Sequence, residues 1–278
     1  MTFDVPPDGL AVNQYLRMAR VEHPGDDAPV LEGRAPIDDN VRSDDGRGMR
    51  TGVLLALVDS LGGFTAGLAV LPRWIVSTSI HLQVARLDHV GALRLDVAVL
   101  RRGNLSAVTS VVVSDEGAGD AHVADGIVTC AALEPDAPKV FSRPIRIDAL
   151  PRPEDPEPLE QFFGIVPPAD DADPCTTTLV LEERLRNPWG ILHGGATSVL
   201  LDAAAVRAAR LSDGAAATDT VVHFLSPVRT GPVEARCTVI GDRPDGRLVR
   251  VAVHDVGNGD RLCVLGSVVV TDRHAGFR

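Results

Sequence analysis

The chain has 278 residues, 45% of them apolar but only 4% aromatic, and a formal net charge of −11. That length suits two domains of about 140 residues each, with Val, Leu and Ala filling their cores. The acidic balance argues against nucleic acid or an anionic membrane as a partner, but leaves room for a small anion held by local arginines.

The opening MTFDVPPDGL has neither a basic n-region nor an apolar h-region, so no signal peptide is expected. Val30 to Ile37 reads as a short strand, followed by a polar loop through Asp44 and Asp45. An apolar helix is predicted from about Gly52 to Leu71, where Pro72 ends it. Four Val-rich runs follow as strands: Trp74–Arg86, Ala92–Arg101, Leu105–Asp115 and His122–Leu133. Turn signals such as Arg102-Gly103-Asn104 separate them. Pro135, Pro138, Pro144, Pro151, Pro153, Pro156 and Pro158 then forbid a regular helix or central strand and mark an extended connector. The second half repeats the order. Thr176–Arg186 is a strand, Gly195–Leu211 a helix, and Thr218–Val228, Val233–Gly241, Leu248–Asp255 and Arg261–Thr271 are strands. Short connections imply antiparallel meanders, each with one helix covering its apolar face. The fold class is α+β, with domains at 1–134 and 159–278 and a Pro-rich linker at 135–158.

The two halves share a stretch of sequence. Arg50 to Asp59 aligns without gaps on His193 to Asp202. Downstream, Ile80-His81-Leu82 falls on Val222-His223-Phe224, and Gly91-Ala92-Leu93 on Gly231-Pro232-Val233. Such a repeat implies two copies of one fold packed as a pseudo-dimer. Between Thr51 and Leu71 the only ionisable residue is Asp59, and between Gly194 and Val206 it is Asp202. A helix apolar on all sides is a buried helix, so both are expected inside the protein and not across a membrane. Their carboxylates then carry a desolvation penalty. Buried carboxylates of this kind are enriched at functional sites, although one bonded to a Ser or a backbone amide can also be structural.

His193-Gly194-Gly195 stands immediately before the second helix. Two glycines allow close approach to the backbone, and first-turn amides have no intrahelical acceptor. With the helix dipole they form an oxyanion-hole pattern. Pro188 keeps Asn187 out of helix, so Asn187 is presented on a loop or serves as an ordinary turn residue. Cys130, Cys175, Cys237 and Cys263 show no CxxC or metal spacing. A reducing, cytoplasmic setting with no metal and no cofactor is expected.

Asn187-Pro-Trp-Gly-Ile-Leu-His193-Gly194-Gly195, six residues and Asp202, followed by Val222-His223-Phe224-Leu225-Ser226-Pro227-Val228-Arg229-Thr230-Gly231, resembles the hotdog-fold acyl-CoA thioesterases of the phenylacetic-acid-degradation (PaaI-like) type. The likeness is close over residues 175–271 and looser over 30–133. It implies two tandem hotdog domains, each an antiparallel sheet wrapped around one long central helix. It also implies hydrolysis of an acyl-CoA substrate between them. Carried over, the intact site joins Asn187, His193, Gly194 and Gly195 to Asp59 of the other half. An amide of Gly194 or Gly195 would bind the thioester oxygen, and Asp59 would attack the carbonyl or deprotonate water. Asn187 would position that water or the carboxylate, and His193 would steady the loop or hydrogen-bond near the thioester. The family also places a Ser or Thr on the strand after the helix, for which Thr78, Ser79, Thr218 and Thr220 are candidates.

The mirror site would set Asp202 against Asp44, Arg50, Thr51 and Gly52, and is expected to be degenerate. Arg101, Arg102, Arg229 and Arg243 are either coenzyme A phosphate contacts or ordinary solvated charges. Trp189 either lines the acyl pocket or anchors its loop. Gly62, Gly63, Ala66 and Gly67 permit either a deep slot or close helix–helix packing. A homodimer of double-hotdog chains is expected. Two other readings compete, a non-catalytic acyl-CoA sensor and a hotdog hydratase. Gly190 and Leu185 stand where the hydratase pattern needs His and Asp.

Overall fold

The computed structural model describes residues 11–23, 30–134, 146–149, 152, 154–166, 175–212 and 214–272. The opening ten residues and Pro135, Pro138, Pro144, Pro151 and Pro153 of the expected linker lie outside them. The first half contains α1 (Ala11–Tyr15), β1 (Ala19–His23), β2 (Val30–Ala35), α2 (Thr51–Val70), β3 (Trp74–Val84), β4 (Leu93–Arg102), β5 (Ser106–Asp115) and β6 (Ala121–Leu133). After β7 (Arg146–Ile147) come α3 (Leu159–Phe162), β8 (Ile165–Val166), β9 (Thr176–Leu179), α4 (Gly194–Ala209), β10 (Ala215–Phe224), β11 (Val233–Arg243), β12 (Gly246–Asp255) and β13 (Arg261–Asp272).

All these strands join one antiparallel sheet in the order β7-β1-β2-β4-β5-β6-β3-β10-β13-β12-β11-β9-β8. The two flanks mirror each other about the β3–β10 seam, where Val221 pairs with His81. His81 Nε2 meets Asp219 Oδ1 across that seam at 3.1 Å. Each flank carries a buried Asp at the end of a strand. Asp115 accepts the amides of Val90, Gly91 and Gly117, and Asp255 those of Arg229, Thr230 and Gly231. These bonds hold both carboxyls below their usual pKa.

The helices are buried as their composition demands. α2 is long and apolar enough to cross a bilayer, yet nearly all of it lies inside the protein. Gly62 abuts Val128 and Thr109 of the sheet, while Gly63 and Gly67 face Ile75 of β3. The small residues therefore serve helix–sheet contact, not the helix–helix packing that was the alternative. α2 and α4 run antiparallel against each other at their N-terminal halves. Gly52 faces Asp202 and Val199, and Gly195 faces Ala56.

Three expectations are corrected. The strand predicted for Thr176–Arg186 stops at Leu179, and Glu183–Leu185 is a 3-10 turn. α1, β1, α3 and β8 were not anticipated, being too short to show a period. The repeat also changes offset. Bulges at Ser77/Ser79 and Ala217/Asp219 match, and Ser77 pairs with Cys130 as Ala217 pairs with Val270. Ile80 and Leu82 therefore correspond to Thr220 and Val222, and His81 to Val221, not to His223. α4 has 16 residues against the 20 of α2, a shortening that its longer connector only partly makes up, and this slides the downstream alignment.

Candidate active site

The loop before α4 is built by Asn187. Its Oδ1 accepts the amides of Trp189 at 3.0 Å and Ile191 at 3.3 Å, and its own N–H donates to Ile191 O at 2.8 Å. Gly190 takes φ +69° at the tip. The return strand is pinned by His193 N–H to Leu185 O and by Leu192 N–H to Val228 O. Asn187 is thus an organiser of the loop. No hydrogen bond joins it to Asp59 among the described residues. Trp189 is brought against Trp74 at the start of β3.

His193 is the N-cap of α4. Its Nδ1 accepts the Gly195 amide at 2.9 Å. A ring that accepts at Nδ1 is neutral and carries its proton on Nε2. Burial agrees, pushing the imidazole down to about 4. The cap also consumes the Gly195 N–H, so of the two glycine amides offered as oxyanion donors only that of Gly194 remains.

Asp59 comes from α2 to the same point. A Cβ on Gly194 would collide with the Asp59 carboxylate, so only glycine admits it there. Asp59 Oδ1 accepts the Ser77 hydroxyl at 2.6 Å. Burial raises the Asp59 carboxyl to about 6, with Ser77 opposing the rise. Cys130 stands behind Ser77 in hydrogen-bond contact, its thiol pushed up to about 12 by burial. The hydroxyl on the strand is therefore Ser77, not Thr78 or Ser79. Thr78 donates to Thr129 O instead. The β-bulge turns Ser77 toward the helix, and nothing local in the sequence reports it.

The mirror position is built differently on the same backbone. Arg50 caps α2 at φ −58°, ψ 137°, close to the −64°, 136° of His193, but offers no side-chain cap. Its guanidinium pairs with Asp44 and, at 3.2 Å, with Glu160 of α3. Arg50 acts on Asp202 without pairing with it directly. Glu160 also pairs with Arg207 of α4, a contact no sequence signal announced. The Gly52 backbone, which faces Asp202, opposes the rise of its carboxyl. Thr51 donates to Ala217 O at 2.8 Å. Ala217 stands where Ser77 stands in the first half, and Asp202 Oδ1 is left buried with no partner. Burial raises Asp202 to about 6, with Arg50 opposing. Thr218, the remaining candidate beside it, bonds to Thr271 at 2.9 Å, and Thr220 is buried in β10.

Cys130, Cys237 and Cys263 are buried and Cys175 is half-buried. Among the described residues no three His, Cys, Asp or Glu side chains converge as a metal site.

Residues 190–241 match the Thioesterase superfamily. No curated protein matches the chain. Among solved structures, the chain is similar to a proposed oleoyl thioesterase of Lactobacillus plantarum, with 13% identity and a TM-score of 0.61 over 89% of this chain and 96% of that one. It is also similar to a 12:0-ACP thioesterase of Umbellularia californica, with 12% identity and a TM-score of 0.56 over 87% and 93%. A third is a hotdog-fold protein of unknown function from Alicyclobacillus acidocaldarius, with 11% identity and a TM-score of 0.53 over 89% and 94%. The fold is that of the hotdog structures, and the thioesterase pattern falls on the segment that begins at the loop before α4 and runs through that helix.

Proposed function

We propose that the protein hydrolyses acyl-CoA thioesters at one competent site per chain, set between two tandem hotdog units of the PaaI-like type (1–134 and 159–278, joined by 135–158). The observation that carries this reading is the crossing of Asp59 from α2 onto Gly194 at the N-terminus of α4. A carboxylate there can reach a carbonyl whose oxygen accepts the Gly194 N–H, where the helix dipole favours developing negative charge. Asp59 then attacks the carbonyl carbon or takes a proton from water. Ser77 holds the carboxylate in place, and a pKa of about 6 leaves it ionised at neutral pH. His193 fixes the loop and keeps its Nε2–H for the thioester. The Asp202 position is non-catalytic on this reading, because Thr51 stands where Gly194 admits the carboxylate, Ala217 stands where Ser77 steadies it, and its cap is an arginine bound by Asp44 and Glu160.

Four cysteines without CxxC or metal spacing fit a cytoplasmic protein, and a pairing of two chains into a four-hotdog assembly fits the family pattern. The test is thiol release from short-chain, medium-chain, long-chain and aryl acyl-CoAs by wild type, Asp59→Ala and Asp202→Ala. Turnover lost only in Asp59→Ala supports the reading. Loss only in Asp202→Ala reverses the pairing. Acyl-CoA binding without turnover replaces the hydrolase with a sensor.

A further inference from the structure

α2 places Asp59 against α4. Beside the same helix lie three buried polar atoms with no hydrogen-bond partner: Asn13 Oδ1, Ser60 Oγ and Arg20 Nε. Arg20 is only 6% exposed. Its cross-strand partner is Gly33, which packs on Leu61, so this side of β1 faces α2. The guanidinium carbon lies 3.9 Å from the ring centroid of Phe64. Ser60 follows Asp59 and sits one turn before Phe64. Asn13 neighbours Val12, whose Cγ1 lies 3.3 Å from the Cβ position of Gly195.

An arginine this buried is expected to meet a carboxylate, because an unpaired interior charge is costly and the guanidinium does not shed its proton at neutral pH. Arg152 obeys the rule, pairing with Asp38 at 2.5 Å. Arg20 meets no carboxylate among the described residues, and burial pushes it down only to about 10.

The repeat supplies a second, independent observation. α3 corresponds to α1, since each precedes a residue in the left-handed region, Gly164 at φ +64° and Arg17 at φ +51°. Glu160 then stands in the place of Asn13, and Arg207 in the place of Phe64. At the mirror corner the Glu160 carboxylate is held by Arg50 and Arg207. The protein fills one corner with its own carboxylate and lines the other with a cation that has none.

We propose that Arg20, with the Ser60 hydroxyl as a second donor, receives a carboxylate at the far end of the acyl group, so that the site selects ω-carboxyacyl thioesters over neutral acyl chains of equal length. This rests on the hydrolase reading for the thioester end. Phe64 lies five residues beyond Asp59, about 7–8 Å along the helix axis, which suits a short dicarboxylic chain. The planar guanidinium matches a carboxylate in bidentate fashion.

The experiment compares kcat/KM for glutaryl-, adipyl- and pimelyl-CoA with valeryl-, hexanoyl- and heptanoyl-CoA in wild type, Arg20→Met and Arg20→Lys. Calorimetric titration of glutarate and adipate gives a readout free of turnover. Wild type should favour the carboxyacyl member of at least one pair by about tenfold or more, Arg20→Met should cut that ratio by about 10²-fold, and Arg20→Lys should fall between. Arg20→Met should keep or raise the melting temperature, because it removes an unpaired buried cation. A wild-type ratio near one, or one unchanged in Arg20→Met, overturns the proposal. So does an equal loss on all six substrates, which would mark Arg20 as a coenzyme A contact. No thioester turnover at all, with dicarboxylate binding in wild type and none in Arg20→Met, would sink the hydrolase reading and leave the anion site standing.

Discussion

Two helix N-termini lie on matched backbone, one opening with His193-Gly194-Gly195 and the other with Arg50-Thr51-Gly52. Their capping angles agree within a few degrees, so the difference between them is one of side chains. In the first, a neutral ring takes one amide, the next amide stays free, and the facing carboxylate is steadied by a serine. In the second, the cap is a cation held by two acids, a threonine stands in place of the first glycine, and alanine replaces the serine. Three substitutions thus separate the proposed competent site from its mirror: His193 for Arg50, Gly194 for Thr51 and Ser77 for Ala217. On the proposed tandem reading, one copy drifts toward stability while the other keeps an unfavourable arrangement for chemistry.

The sharpest way to break this comparison is to remove each carboxylate in turn. Asp59→Ala should lower kcat/KM for thioester hydrolysis by about 10²–10⁴-fold, whereas Asp202→Ala should cost far less. Equal losses in a thiol-release assay would mean two working sites. Next is Gly194→Ala, whose methyl collides with the Asp59 carboxylate. A displacement of that size should cost about 10²-fold in kcat. The methyl already present at Thr51 should make Thr51→Ala nearly silent for activity.

Ser77→Ala removes a hydrogen bond that favours the ionised form of Asp59, so the carboxyl should rise further above about 6. The acid limb of the kcat/KM profile should move to higher pH, with the larger loss at pH 6 and a smaller one at pH 8. An unmoved limb would show that Asp59 is not the titrating group.

Stability offers a fourth test. The Asp59 carboxyl is raised from 3.8 to about 6, so the folded state binds the proton more tightly than the unfolded chain does. Its favourable contribution is complete below 3.8 and is lost as pH rises through about 6. Asp59→Asn should therefore stabilise the protein at pH 8, by up to about 2–3 kcal/mol, and the gain should vanish at pH 4. Thermal unfolding at the two pH values measures it. The smallest effect belongs to Glu160→Gln, which loosens Arg50 and Arg207 and should cost about 1 kcal/mol or less, with no change in turnover.

Much of this comparison was legible in the chain. The duplicated stretch, the lone carboxylate in each apolar helix and the glycine pair after His193 are local patterns, whereas the meeting of Asp59 with Gly194 was only what the family resemblance implied. Other parts were not legible. Ser77 and Ala217 become equivalent only through a β-bulge in each half, which no window of sequence reports. The service of Asn187 to its own loop, and of the His193 ring to Gly195, depends on side-chain rotamers. Glu160 and Arg20 reach their places from segments too short to show a period.

By itself, then, the sequence determined what periodicity and composition can encode: the strands, the buried helices, the repeat, and the residue types at the two helix starts. Only the tertiary structure decided which carboxylate meets which amide, which cation is paired, and which is left without an anion. Those outcomes depend on distances between residues far apart along the chain, and hydrogen bonds and desolvation act through such distances, not through spacing in sequence.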